Sequence, residues 1–287
     1  MRKICWILLL LFFCNQFCKA QNNKEITVGG VTFTMIFVEG GTFTMGATVD
    51  QGSAYHPDEK PCHKVTLSSF YIGKYEVTQA LWVAVMGYNP SSRQEDLNCP
   101  VETVSWEASM KFINKLNEMT GMKFRLPTES EWEFAARGGN KSNWYKYPGS
   151  NNLSDVAWMD KEVRRDDWKD NKWCCIDMHP THPVGGKKPN ELGIYDLSTN
   201  VREMCYDAYE VWPMEFAVRP QTNPKGPDQY HYVSTGAKGG YVQKMHVIRG
   251  FVTNEGDSYW EFNHRICRRG PVDEADPYTG FRLALDL

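Results

Sequence analysis

A surplus of positive charge is missing from this chain of 287 residues: 32 lysines and arginines stand against 35 aspartates and glutamates, a formal net charge of −3. Nucleic-acid binding needs a basic footprint, so that class is set aside. Past the N-terminus no apolar run reaches the roughly 20 residues that cross a bilayer. Cysteine pairs at C-x-x-C spacing and Cys/His sets at zinc spacing are absent. His179 and His182 are three apart, but Pro180 and Pro183 prevent a helix that would aim both rings at one metal. There is no G-x-S-x-G nucleophile elbow, no internal repeat and no low-complexity tract.

What is present begins with a leader. Arg2 and Lys3 precede an apolar stretch from Ile4 to Phe13, and Cys18-Lys19-Ala20 ends on a small residue before Gln21. This pattern predicts a signal peptide over 1–20, and hence export to a periplasmic, secreted or cell-surface location. Phe13 and Phe17 stand before Cys14 and Cys18, where a lipid-attachment site wants a small residue. Residues 21–30 read as a polar lead-in and 31–287 as one domain, with 41% hydrophobic residues to fill its core. Six cysteines remain after the leader: Cys62, Cys99, Cys174, Cys175, Cys205 and Cys267. An even number in an exported chain permits disulfides. Six allow fifteen pairings, among which Cys205–Cys267 is favoured because both flank late core blocks.

Periodicity places the elements. Alternating Phe33, Met35 and Phe37 predict a strand over 31–38, turned by Gly40-Gly41 into a second strand at 42–45 as a hairpin. Residues 65–75 read as one strand. Thr78 caps a helix over 79–86 that Gly87 ends. Ser105 caps a longer one ended by Gly121, with Phe112, Ile113, Leu116 and Met119 as its apolar stripe. Around Phe124–Gly139, Thr128 and Glu131 form a capping box, and Gly138 supplies the left-handed end of an amphipathic helix. Residues 140–190 and 210–246 read as loops, 246–249 as a strand start, 250–279 as a loop region and 280–285 as the closing strand.

The wording of several blocks is distinctive. Arg125-Leu126-Pro127-Thr128-Glu129-Ser130-Glu131-Trp132-Glu133-Phe134-Ala135-Ala136-Arg137-Gly138-Gly139 resembles the signature of the formylglycine-generating-enzyme, or sulfatase-modifying-factor, family. So do Gly40-Gly41-Thr42-Phe43-Thr44-Met45-Gly46, Tyr75-Glu76-Val77-Thr78, Gly193-Ile194-Tyr195-Asp196-Leu197, Asn200-Val201-Arg202-Glu203 and Gly280-Phe281-Arg282-Leu283, in order. The resemblance implies an α+β, loop-rich fold related to C-type lectins, with short helices around small antiparallel sheets. Against that pattern, about 161–179 is an insertion.

Active members oxidise a sulfatase cysteine with Cu(I) held by two cysteines five apart, after a Gly-Gly-Ser segment. The matching segment here is Arg249-Gly250-Phe251-Val252, and the two cysteine positions fall on Glu255 and Trp260. No cysteine lies between Cys205 and Cys267, so copper is not expected. The family's Asn-Val-Trp-Glu-Trp is Asn200-Val201-Arg202-Glu203-Met204, and one of the lost tryptophans borders the cleft of active relatives. The resemblance further implies a Ca²⁺ site formed by Asp196, the carbonyls of Thr199 and Val201, and Glu203. A second would begin at Asp155 and Val156, with its later ligands in the insertion. The plain alternative is that Asp196 and Glu203 only cap turns. The expected function is an exported, non-catalytic binding or assembly protein. It would hold a protein or peptide partner on a surface made of Asp257, Tyr259, Trp260, Glu261, Phe262, Asp273 and Tyr278. The alternative is a formylglycine-generating oxidase, or another oxidase of the superfamily, with a rearranged site.

Overall fold

Strand Lys24–Val28 (β1) turns its Ile26 and Val28 inward and pairs antiparallel with Val31–Val38 (β2), Ile26 opposite Phe33. The computed structural model that places them describes residues 22–158, 181–209, 219–227, 245–251, 260–272 and 274–287. The lead-in is therefore largely a strand. Gly29 and Gly30, at φ 56° and 81°, make the two-residue turn that a tight hairpin requires.

The expected hairpin at Gly40-Gly41 does not form. Gly41–Met45 (β3) leaves β2 and pairs with His63–Leu67 (β4), while β2 pairs with Phe70–Gly73 (β5). The two segments run side by side as one bent ribbon that passes from one sheet into another. The predicted strand over 65–75 breaks at the same bend, at Ser68-Ser69. A Cβ on Gly40 would lie 2.5 Å from the Leu67 carbonyl oxygen, so only glycine lets the backbones cross this closely.

Helix Gln79–Met86 (α1) starts where Thr78 Oγ1 accepts the Leu81 N–H and ends at left-handed Gly87. Helix Trp106–Thr120 (α2) has the same grammar with Ser105 and Gly121. Trp82 of α1 stacks on Phe112 of α2 with ring centroids 5.1 Å apart, and Phe281 meets both rings edge-on. Phe112, Ile113 and Leu116 are buried as expected, but Met119 is exposed.

Phe124–Arg125 (β6) leads into helix Glu129–Ala136 (α3). The capping box is present: Thr128 Oγ1 accepts the Glu131 N–H and Glu131 accepts the Thr128 N–H. The helix is not amphipathic, because all eight of its residues are buried. Its glutamates face arginines instead of water. Glu129 accepts two bonds from Arg269, at 2.6 and 2.9 Å. Glu131 accepts two from Arg125, and Glu133 joins Arg137, Arg249 and the Gly46 N–H.

The short helix Leu153–Val156 (α4) precedes Arg202–Ala208 (β7), Gln221–Thr222 (β8) and His246–Arg249 (β9). Then come helix Trp260–Asn263 (α5) and strands Gly270–Val272 (β10), Thr279–Gly280 (β11) and Ala284–Leu285 (β12). Three sheets result, in the orders β1-β2-β5-β12-β6, β10-β9-β7-β11 and β3-β4-β8. The predicted closing strand is split: β11 runs parallel to β7, whereas β12 is antiparallel to β5 and β6. Arg282 thus crosses between sheets and points into the core. Among the described residues no helix is long and apolar enough to cross a membrane.

Candidate functional site

The turn between Gly193 and β7 is built on residues that tolerate left-handed backbone: Asp196 at φ 60° and Asn200 at φ 79°. It carries their side chains toward Glu76, in the connection between β5 and α1. Asn200 Nδ2 donates to Glu76 Oε2 at 3.2 Å, and the Val201 N–H donates to Glu76 Oε1 at 3.3 Å. Glu203 is fully buried and gripped by Arg282 through two bonds of 2.5 Å, while Trp132 Nε1 donates to it at 2.7 Å. Asp196 Oδ2 accepts the Gly185 N–H at 2.6 Å. Its Oδ1 and the Ser198 hydroxyl are buried with no hydrogen-bond partner.

Three buried carboxyls share one guanidinium here. Burial, outweighing the Gly185 hydrogen bond, pushes the Asp196 carboxyl up to about 6. Burial and then the Asp196 and Glu203 charges push Glu76 up as well. Among the described residues no three His, Cys, Asp or Glu side chains could hold a metal, so a cation here would rest on the open Asp196 oxygen and backbone carbonyls. Glu203 differs from its expected part, since both of its oxygens are committed to Arg282 and Trp132. Sequence reasoning passed over Glu76, although it stood inside one of the distinctive blocks.

At the second expected site, Asp155 accepts from Ser150 Oγ at 2.9 Å and Asn152 Nδ2 at 3.0 Å, with Lys188 at 3.8 Å. Val156 packs its side chain in a small apolar cluster. Both Asp155 oxygens accept hydrogen bonds within the turn around α4, and the later ligands of this expected site, in 161–179, lie outside the described residues.

Of the expected partner surface, Asp257, Tyr259 and Asp273, with Glu255, lie outside the described residues. Trp260 and Glu261 open α5. Phe262 is half-buried against His56, at 5.1 Å between centroids, with the Arg265 guanidinium 3.9 Å from its ring. Tyr278 is elsewhere: its carbonyl accepts the Arg202 N–H at 2.7 Å, and its own N–H donates to Asp276. Arg202, at the position of the family's tryptophan, is paired with Asp276 at 2.6 Å, and Thr279 Oγ1 donates to the same carboxylate. The structure therefore puts Phe262 and Tyr278 in separate neighbourhoods.

The Cys205–Cys267 bridge is a correction. Both are free thiols, as are Cys62 and Cys99. Cys205 faces the apolar core beside Ile266 and Val247. The Cys267 sulfur turns instead to Arg265, at 3.3 Å, and Glu59. Burial pushes both thiols up, away from the thiolate form.

The sequence model of the sulfatase-modifying factor enzyme 1-like domain matches residues 22–287. The chain belongs to this family. Among its relatives, the chaperone protein LppX of Paenibacillus barcinonensis is 34% identical over 286 residues, covering 86% of this chain and 91% of that one. The formylglycine-generating enzyme of Streptomyces coelicolor is 28% identical over 86% of this chain and 87% of its own length. Among solved structures, Treponema denticola variable protein 1 superposes with a TM-score of 0.69 at 26% identity, over 92% of this chain and 99% of that one. The glutamates of the α3 block are kept in a helix without a solvent face by the arginines that pair with them.

Proposed function

We propose that this member of the family is an exported, non-catalytic binding protein, which holds a protein or peptide partner on its C-terminal loop surface. The observation that carries the reading is the cysteine pattern. Copper needs two soft thiolates near 255 and 260, and Glu255 and Trp260 offer none. The remaining thiols of that half of the core, Cys205 and Cys267, are buried and face different surroundings. Arg202, at one of the two lost tryptophan positions, is paired with Asp276, and a relative of similar length bears the name of a chaperone. Export rests on the pattern of residues 2–20. Calcium would be held by Asp196 with the carbonyls of Thr199 and Val201, bracing the turn electrostatically rather than supplying chemistry.

The deciding experiment is mass spectrometry of a Cys-x-Pro-x-Arg sulfatase peptide incubated with the mature chain, copper and a reductant. The expected result is an unchanged peptide while an active relative converts it in parallel. Conversion to formylglycine would overturn the reading. Cross-links from the mature chain to captured exported proteins are expected within 252–278, and cross-links only elsewhere would move the binding surface.

A further inference from the structure

A cavity of about 150 Å3 opens between the Met45–His63 end of the β3–β4 ribbon, the first turn of α3, the end of β7 and the turn at 267–269. Asp58, Lys60, Glu129, Asp207, Arg249 and Arg269 all line it. Its cations already have partners. Arg269 is forked onto Glu129, and Arg249 is paired with Glu133 and lies 3.2 Å from Glu129. Lys60 Nζ donates to the Ala47 carbonyl at 2.6 Å and lies 3.3 Å from the Cys62 sulfur. Behind the wall, Arg265 is forked onto Glu59, and the Arg268 guanidinium lies over Phe251.

Two carboxyls, Asp207 and Asp58, make no ion pair among the described residues, although Arg269 lies near both and Arg268 near Asp58. Asp207 is only 4% exposed, and its one hydrogen bond is the Glu129 N–H, accepted on Oδ2 at 2.7 Å. Asp58 accepts the Tyr209 hydroxyl on Oδ2 at 2.7 Å, and its Oδ1 is buried with no partner. Burial, and then Glu129 beside it, push the Asp207 carboxyl up to about 8, with Arg269 nearby offsetting only part of the rise. Gly226, at φ 77°, lies against Asp207, where a Cβ would come within 2.8 Å of the aspartate's own Cβ. The backbone approaches here because glycine leaves room.

We propose that this cavity binds an organic cation, a primary ammonium or guanidinium group, between the carboxylates of Asp207 and Asp58. Such a group presents several N–H donors and can meet both open oxygens in charge-assisted bonds. The volume is far above the roughly 15 Å3 that admits a single water, and it suits the head of a lysine, an arginine or a small amine. A metal ion matches less well. Glu129 and Glu59 are closed by arginines, and among the described residues no three His, Cys, Asp or Glu side chains could hold one. The cavity borders the C-terminal loop region, since Cys267 and Arg269 line it, but neither Asp207 nor Asp58 belongs to that region.

The test is calorimetric titration of the full mature chain with agmatine, with butylamine, and with a short peptide carrying one arginine or, as its control, norleucine. Saturable binding of the cationic probes, and none of the norleucine peptide, is expected. Asp207→Asn keeps the acceptor for the Glu129 N–H and should weaken binding about tenfold or more, the worth of one lost charge-assisted bond. Asp58→Asn, at a more open position, is the second variant should the first fail to fold. Binding by the peptide alone would identify the source as a protein side chain; binding by agmatine or butylamine as well would point to a free amine. No saturable binding of any cation at millimolar concentration, or binding indifferent to both variants, would overturn the proposal.

Discussion

Two clusters of buried charge lie within this molecule, and they are balanced differently. Around α3, Glu129, Glu131 and Glu133 meet Arg125, Arg137, Arg249 and Arg269, so every carboxylate has a guanidinium. Below β7, Glu76, Asp196 and Glu203 share one arginine among the described residues, Arg282, with His182 near Asp196. The first cluster is closed by the chain's own cations: burial works to raise the Glu129 carboxyl, but Arg269 and Arg249 outweigh it and hold it low. In the second, Asp196 and Glu76 are pushed up, chiefly by burial. A charge-balanced cluster serves as a frame, whereas one left short of cations is a place where something from outside can add stability.

The largest effect expected from this contrast is at Glu133. Glu133→Ala leaves Arg249 and Arg137 buried with weakened partners and unpairs the Gly46 N–H. Breaking one side of such a network costs about 3–5 kcal/mol, measurable by urea denaturation. A loss below about 1 kcal/mol would mean that the α3 frame is no frame.

Calcium sharpens the other side. Saturating Ca²⁺ should stabilise the folded chain by about 2–3 kcal/mol, the mass-action gain at a hundredfold excess over Kd. Asp196→Asn should abolish the gain, and Asp155→Asn should leave it intact, since the Asp155 oxygens are already satisfied. A gain that survives Asp196→Asn would place the ion elsewhere.

pH separates the clusters by sign. Asp196, raised from 3.8 to about 6, holds a proton in the folded state that it releases on unfolding. Chelated protein should therefore lose stability as pH rises from 4 to 7, by roughly 2–3 kcal/mol from this group. Asp207, raised to about 8, continues the same slope. Asp196→Asn should flatten the lower part. Glu129 acts oppositely: its contribution is present above the usual carboxylate pKa and is lost as pH falls through its lowered folded value. Stability that climbs steadily from pH 4 to 7 would refute the assignment of the raised acids.

The smallest effect concerns the thiols. Peptide mapping under non-reducing conditions should recover Cys205 and Cys267 in separate, alkylatable peptides. A cross-linked pair would require the core around Val247 and Ile266 to be rearranged.

Much of the local structure could be read directly from the residues. Thr78, Ser105 and Thr128 start helices, and Gly87, Gly121 and Gly138 end them, because a cap is decided within four residues of itself. The family blocks pointed to the fold, and through it to Asp196 as a residue of interest. Gly29-Gly30 carried a hairpin signal that went unread because the preceding segment is short and polar. The bend at Gly40 was misread as a turn, since two glycines permit either and only the pairing of β3 with β4 decides between them. At the site, Glu76 and Asn200 are separated by 124 positions and Glu203 and Arg282 by 79. Nothing in local periodicity joins them.

What the sequence by itself determined is therefore the three capped helices α1 to α3, their ends, the family, and the absence of thiols at 255 and 260, while α4 and α5 fell in stretches read as loop. The tertiary structure alone decided that α3 has no solvent face, that Glu203 belongs to Arg282, that Cys205 and Cys267 stay apart, and that Asp58 and Asp207 share a cavity. The division has one cause. Backbone caps and periodicity act over a few residues, whereas a buried charge must find its partner wherever the fold brings one, as Glu133 finds Arg249 across 116 positions of chain.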